Sequence, residues 1–316
     1  MASEDREGQG GPQSGNDGEA DPGDEVSGVA TRSAGTAPKS LNDPRSPLFV
    51  AEHSERYERQ RMIREYETEY NCRLIVMRDV IFPDSVTYLE ELLWDADAAQ
   101  DMHLILDSPG GDGETAVRLV RSAQSRCKEL TVIVPDQAKS AATILALGAH
   151  HIMMGPTSDL GPVDPQFRVG PTGALYAGRD IIAAVESAQL AITASPESYP
   201  LHAALLSDVT ALLVQSARMA IARTPDLVMD ALRSNPDRAK ADAEQILAAL
   251  KEPLIDTPRD HSAVLGADDA ANLGLPILKL DPRCEQWQRV WRLYAKYFLI
   301  SHAMYEGRTS SRGIPA

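Results

Sequence analysis

Four short runs of branched and apolar residues, Arg73 to Met77, Met102 to Leu106, Thr131 to Val134 and Ile152 to Met154, alternate with segments of helical periodicity. Each run is too short to form a buried helix and too uniformly apolar to form a half-exposed strand. The alternation therefore predicts βα units around a buried, mainly parallel sheet, an α/β fold. Between the runs, Ser85 to Trp94 carries an apolar stripe through Val86, Leu89, Leu92 and Leu93, and Glu114 to Cys127 another through Ala116, Val117, Val120 and Ala123.

In such a sheet the C-terminal ends of the strands share one edge, where ligands bind. Two turns fall there. The run ending at Leu106 leads into Asp107-Ser108-Pro109-Gly110-Gly111, and the run ending at Val134 leads through Pro135-Asp136-Gln137 to Ser140, which opens a small-residue helix. The glycines allow backbone N–H groups to approach a ligand closely. Together with the N–H of Ala141 they form a candidate oxyanion hole for a tetrahedral intermediate. At a helix N-terminus Ser140 suits a nucleophile, and it equally suits an ordinary N-cap.

Beyond the sheet, Val169 to Tyr176 reads as a hairpin around Pro171-Thr172-Gly173. Helices are expected over roughly 179–193, 198–223, 225–233 and 237–251, followed by a break at Pro253 to Gly266 and a short helix at Ala267 to Leu273. The heavily charged Ala51 to Tyr70 predicts an exposed helix. Glu285 to Tyr305 predicts an aromatic-rich one that packs inward or offers an assembly surface.

Residues 1–48 are rich in Gly, Ser and Pro, and the first 47 hold nine acids against four basic residues. They predict a disordered acidic tail, ahead of one domain over 49–306 and a flexible C-terminus over 307–316. A net charge of -15 argues against nucleic acid as a partner. Three widely spaced cysteines, Cys72, Cys127 and Cys284, suggest neither a disulfide framework nor a zinc site. With no signal peptide pattern and no apolar run of membrane-spanning length, a cytoplasmic protein is expected. No dinucleotide fingerprint or pyridoxal phosphate lysine motif is present, so no cofactor is expected. The adjacent His150 and His151, without cysteine or acid ligands, do not suggest a metal site.

Several motifs recur together. Asp107-Ser108-Pro109-Gly110-Gly111, Ala138-Lys139-Ser140-Ala141-Ala142-Thr143, Met154-Gly155-Pro156, Leu160-Gly161-Pro162-Val163-Asp164-Pro165-Gln166 and, after His261, Ala270 with Leu273-Gly274-Leu275-Pro276-Ile277 resemble the serine dehydrogenase proteinase family. That family is a branch of the Clp protease and crotonase superfamily, related to signal peptide peptidase A. The resemblance implies a spiral of ββα units with a helical C-terminal region. It also implies a serine peptidase that cleaves peptides or proteins through a Ser140 acyl-enzyme, with Gly110 or Gly111 and Ala141 holding the oxyanion, in a homo-oligomer. No histidine lies in Ser158 to Pro165, where the Clp proteolytic subunit carries its base. His261 is the better candidate base, with Asp260 or Asp164 to orient it, although Asp164 also reads as a turn-stabilising carboxylate. Lys139 adjoins Ser140, but neighbouring side chains diverge, so it reads as a substrate-orienting or surface charge. Ala141-Ala142 replaces two glycines usual in the family. Those methyl groups make a catalytically weak protein that binds peptides or a protein partner the alternative reading. Acyl-CoA chemistry is a third, which no basic cluster near the motifs recommends.

Overall fold

The computed structural model describes residues 45–256, 264–300 and 304–308. The tail before residue 45, His261 and residues 309–316 lie outside them.

The chain opens with α1 (Pro47–Glu52) and α2 (Ser54–Tyr70), then β1 (Cys72–Arg78), α3 (Ser85–Leu92), β2 (Asp101–Asp107), α4 (Gly113–Gln124) and β3 (Leu130–Val134). It continues through β4 (Gln137–Ala138), α5 (Ala141–Leu147), β5 (His151–Met154), β6 (Asp159–Leu160), β7 (Gln166–Val169) and β8 (Ala174–Ala177). The later part comprises α6 (Gly178–Ala194), α7 (Tyr199–Leu205), α8 (Ala211–Leu232), α9 (Lys240–Leu250), α10 (Ala267–Asn272), β9 (Ile277–Lys279), α11 (Glu285–Phe298) and β10 (Met304–Gly307).

Six strands form the main sheet in the order β10-β1-β2-β3-β5-β9, parallel except for β10. Alternate residues face opposite ways. Cys72, Leu74, Val76, Ile105, Ile133 and Met153 pack on α2 and α11 through Ile63, Tyr66, Trp287, Val290 and Tyr297. Ile75, Met77, Leu104, Leu106, Val132, Val134, Ile152 and Met154 pack on the other face, in a core shared with α3, α4, α5, α8 and α9.

Past its strand, each βα unit makes a second short step. Ile81 pairs with Gly111, Ser108 with Ala138, β4 with β6, and Leu160 with Leu265. These pairings build a narrow stair across the C-terminal edge of the sheet. Strand, step and helix make the ββα unit, and the stair carries both turns singled out by the sequence.

Three elements differ from expectation. α2 is not a solvated helix, because Arg59, Gln60, Ile63, Tyr66 and Glu67 are buried along one face. Its charges are answered internally: Arg59 and Gln60 donate to the Glu306 carboxylate, each at 2.7 Å, and Glu67 accepts from the Leu74 N–H at 3.0 Å. The final helix stops at Phe298, and β10 closes the sheet beside β1. Trp287, Tyr294 and Tyr297 of α11 are buried, leaving Trp291 and Phe298 as its exposed aromatic side chains. The aromatic stripe is therefore mainly internal packing.

His103, beneath α2, gives a test of this packing. Its Nδ1 lies 2.8 Å from the Tyr66 hydroxyl, and burial pushes its pKa down to about 4, with Asp101 opposing and His151 adding to the shift. The unfolded chain takes up this proton first as pH falls. The contribution to stability is therefore complete above about pH 6.5 and is lost toward pH 4, on the order of 3 kcal/mol in all. Denaturant unfolding at pH 7.5 and pH 4.5 should show a loss that His103→Gln largely removes.

Candidate active site

β3 ends against Pro135, and the two residues of β4 bring the chain across the stair to Lys139. There the Ala142 N–H donates to the Lys139 carbonyl at 2.8 Å, closing a tight turn. Ser140, second in that turn, has φ 49 and ψ -115. This is the conformation of a type II′ turn, a position that normally takes glycine. A side chain there costs about 1–3 kcal/mol and persists only where its surroundings hold it. They do so here. α5 is buried along its whole length, and Thr143 Oγ1 lies 2.7 Å from the Ala138 carbonyl and 2.8 Å from that of Gly161.

The N-cap reading of Ser140 is not what the structure has. A capping residue sits in extended backbone with its oxygen over the next N–H groups, whereas Ser140 has positive φ and makes no capping bond. Its half-buried hydroxyl has no hydrogen-bond partner among the described residues. Ala141 and Ala142 lie within α5, where alanine is the best helix former, so the helical backbone there does not require the glycines they replace.

The glycine turn meets this serine directly. A Cβ on Gly110, which has φ +105, would stand 2.8 Å from both the Lys139 carbonyl oxygen and Ser140 Cβ. A Cβ on Gly111, at φ +140, would stand 2.0 Å from the Ile81 carbonyl oxygen. Their N–H groups have different fates. Gly110 donates to Ser108 Oγ at 3.1 Å, while those of Gly111 and Ala141 have no acceptor among the described residues. Of the two glycines, Gly111 has the unspent donor.

Both of these residues line a cavity of about 280 Å³ with Ser140. Ile144, Val163 and Leu227 supply apolar wall, and Ala220, Arg223 and Thr224 complete the side formed by α8. Arg223 Nε donates to Glu114 at 2.9 Å across the rim. Asp164 also lines the cavity; its carboxylate is buried, with one oxygen 2.7 Å from the Arg179 guanidinium. Just before the glycine turn, Asp107 accepts from Arg78 Nε at 3.0 Å and from the Tyr294 hydroxyl at 3.1 Å, anchoring the loop to α11. Burial raises the Asp107 pKa despite those donors.

Lys139 is not a loose surface charge. Its ammonium pairs with the Asp159 carboxylate, whose other oxygen accepts the Leu265 N–H at 2.9 Å. His261 lies outside the described residues, but the chain on either side is fixed. Val163 donates to the Leu254 carbonyl at 2.8 Å, and Leu160 and Leu265 exchange hydrogen bonds at 3.1 and 3.0 Å. His150 serves the opposite end of the sheet, where Nδ1 accepts the Leu130 N–H at 3.0 Å and Nε2 lies 3.2 Å from Asp237. Among the described residues no group of three or more His, Cys, Asp or Glu could hold a metal ion.

The sequence profile of the ClpP-like SDH-type serine proteinases matches residues 49–284. The chain belongs to this family. Two uncharacterised proteins of Methanocaldococcus jannaschii are similar to this chain. One is 28% identical over 174 residues, 55% of this chain and 52% of that protein. The other is 26% identical over 199 residues, 58% and 61% respectively. The match thus spans between half and two thirds of the length of these relatives. Similar solved structures include a peptidase from Plasmodium falciparum, at 13% identity and a TM-score of 0.36, covering 66% of this chain and 96% of that one. A mutant ClpP1 from Listeria monocytogenes has 11% identity and a TM-score of 0.35, covering 68% and 96%.

The α8 wall, with Arg223, Thr224 and Leu227, is a part of the cavity to which the sequence does not point. It carries no local motif and reaches the serine only through tertiary packing. Ser108 did carry a signal, since a hydroxyl two residues before a glycine in a tight turn commonly takes that backbone N–H.

Proposed function

We propose that this protein is a serine peptidase acting on peptide or protein substrates, with Ser140 as nucleophile. The observation that carries the reading is an uncommitted serine hydroxyl, held in a strained turn, sharing one cavity with two unspent N–H groups at Gly111 and Ala141. Ser140 Oγ attacks the peptide carbonyl and its proton passes to His261. The oxyanion rests between the two N–H groups. Collapse breaks the C–N bond, the proton passes to the leaving amine, and water activated by His261 then releases the acyl group. Asp164 orients the imidazole. Its place in the cavity wall and the anchoring of the chain on both sides of residues 257–263 favour this assignment.

A homo-oligomer in the cytoplasm completes the reading. Cys72, Cys127 and Cys284 are free thiols, and burial raises the first two to a pKa of about 12, which keeps them unreactive. Among the described residues no helix is long and apolar enough to cross a membrane.

A fluorophosphonate probe read by intact mass tests the chemistry. Wild type should gain one adduct, Ser140→Ala none, and His261→Ala should react roughly 10²- to 10⁴-fold more slowly. Folded wild type that takes up no probe would favour a peptide-binding protein instead.

A further inference from the structure

α11 packs on the face of the sheet away from α5 and α8, yet it touches the chain at the C-terminal ends of four strands. Past β5, Trp287 fills the space at Gly155, where an added Cβ would stand 2.3 Å from the indole ring. At the end of β1, Arg78 donates to the carbonyls of Tyr297 at 3.0 Å and Ile300 at 3.1 Å. Between these contacts Tyr294 serves both β2 and β3. Its hydroxyl lies 3.1 Å from Asp107 Oδ2 and 3.3 Å from Asp136 Oδ2. Asp107 is the last residue of β2, and Asp136 stands two residues beyond β3.

These two carboxylates stand at the roots of the two turns that make the site. Asp107 opens the turn that leads to Gly111, and Asp136 lies four residues before Ser140. Beyond the roots the turns are laced together by backbone: the Ser108 N–H donates to the Gln137 carbonyl and the Lys139 N–H to the Ser108 carbonyl, each at 3.0 Å. The phenol therefore bridges the base of this same step. Its own place is fixed, because its ring is buried with the Trp291 ring centroid 5.5 Å away. Burial, and after it the two carboxylates, raise its pKa, so the phenol keeps its proton. That single proton is shared between two acceptors as a three-centre bond, while Arg78 Nε, 3.0 Å from the same Asp107 oxygen, offsets its charge. Among the described residues Tyr294 is the one hydrogen-bond donor to the Asp136 carboxylate.

We infer that Tyr294 is a positioning residue for the Ser140 site, its hydroxyl holding the glycine turn and the serine turn at the spacing that one tetrahedral intermediate requires. This role rests on the peptidase reading above, since only a reaction that uses the Gly111 and Ala141 N–H groups together needs the two turns fixed so closely. Without the hydroxyl the backbone bonds between Ser108, Gln137 and Lys139 remain, so the fold survives while the turns gain freedom against each other. A displacement on the order of 1 Å at such a site slows reaction by about 10²-fold.

Two readouts on the same full-chain samples test this: fluorophosphonate labelling resolved into an inactivation rate constant and a probe dissociation constant, and amide hydrogen exchange read by mass spectrometry. Tyr294→Phe keeps the ring and removes the hydroxyl. It should lower the rate constant by about 10- to 100-fold with the dissociation constant unchanged. It should also speed exchange over both 107–112 and 136–142, while the β7–β8 hairpin exchanges as in wild type. Asp136→Ala, a change at an exposed residue, should act in the same direction and serves should Tyr294→Phe fail to fold. Asp136→Asn, which retains an acceptor for the phenol, should recover most of the rate. Tyr294→Phe combined with Asp136→Ala should be no slower than Tyr294→Phe, because both remove one link. A folded Tyr294→Phe protein that labels at the wild-type rate, or in which one turn alone loosens, overturns the inference. A wild type that takes up no probe, with both turns loosened together in Tyr294→Phe, overturns the peptidase reading and the positioning role with it.

Discussion

Ser140→Gly is expected to give a protein more stable than wild type and unreactive toward fluorophosphonate. The wild-type serine holds φ 49 and ψ -115, at a cost of about 1–3 kcal/mol that glycine does not incur. Glycine in turn loses about 0.5–1 kcal/mol through the greater freedom of the unfolded chain. The net gain is about 1 kcal/mol, visible as a higher denaturant midpoint at unchanged slope. Ser140→Ala keeps the Cβ and the strain, so it should unfold near the wild-type midpoint while also failing to react. A Ser140→Gly protein less stable than wild type would show that the turn is not strained by its serine.

Gly111→Ala should be the most damaging single-methyl change in this region. The new Cβ would stand 2.0 Å from the Ile81 carbonyl oxygen, in a backbone with φ +140. That carbonyl also accepts the Asp112 N–H at 2.8 Å, so relief requires parting the first step of the stair. A loss of at least about 3 kcal/mol is expected, from overpacking and backbone strain together. Gly110→Ala should act differently. Its new contacts, at 2.8 Å, are with the Lys139 carbonyl and Ser140 Cβ, so it displaces the serine turn and should slow labelling by about 10²-fold with a smaller loss of stability. Gly266→Ala is the control, since its Cβ would meet nothing within 4 Å. Unfolding curves and labelling rates for the three variants separate damage to the fold from damage to the site.

The sheet was legible because its strands are nearly uniform apolar runs, which only a doubly covered parallel sheet accommodates. The hairpin over Gln166–Ala177 was legible because Pro171-Thr172-Gly173 is turn chemistry flanked by short strands. Helix ends were harder to read. Pro225 suggested a break, yet α8 runs through it, held by Val214 and Ala217 on one side and Leu227, Val228 and Ala231 on the other. The real break precedes Thr210, whose hydroxyl caps α8 by accepting the Leu213 N–H at 3.1 Å. The four residues of β10 carry no pattern of their own and are strand because β1 offers them an edge.

For the site, the residue types pointed to the glycine turn and to Ser140, but not to the backbone conformation that sets their use. A serine before a run of small residues has the same composition whether it caps a helix or is forced out of the capping position. Only the turn closed between Lys139 and Ala142, locked by Thr143, decides. The division of labour between Gly110 and Gly111 likewise depends on a side-chain hydrogen bond from Ser108.

The stair has a consequence for biosynthesis. Its pairings run in chain order from Ile81 through Ser108, Ala138 and Leu160, and the last is made by Leu265. A ribosome has therefore released Ser140 and both glycines long before the return segment that completes the stair exists. Until Leu265 docks, Asp159 lacks the backbone donor that it holds together with Lys139. The last step of the stair, and the part of the fold it ties down around Asp159, therefore forms only late in synthesis.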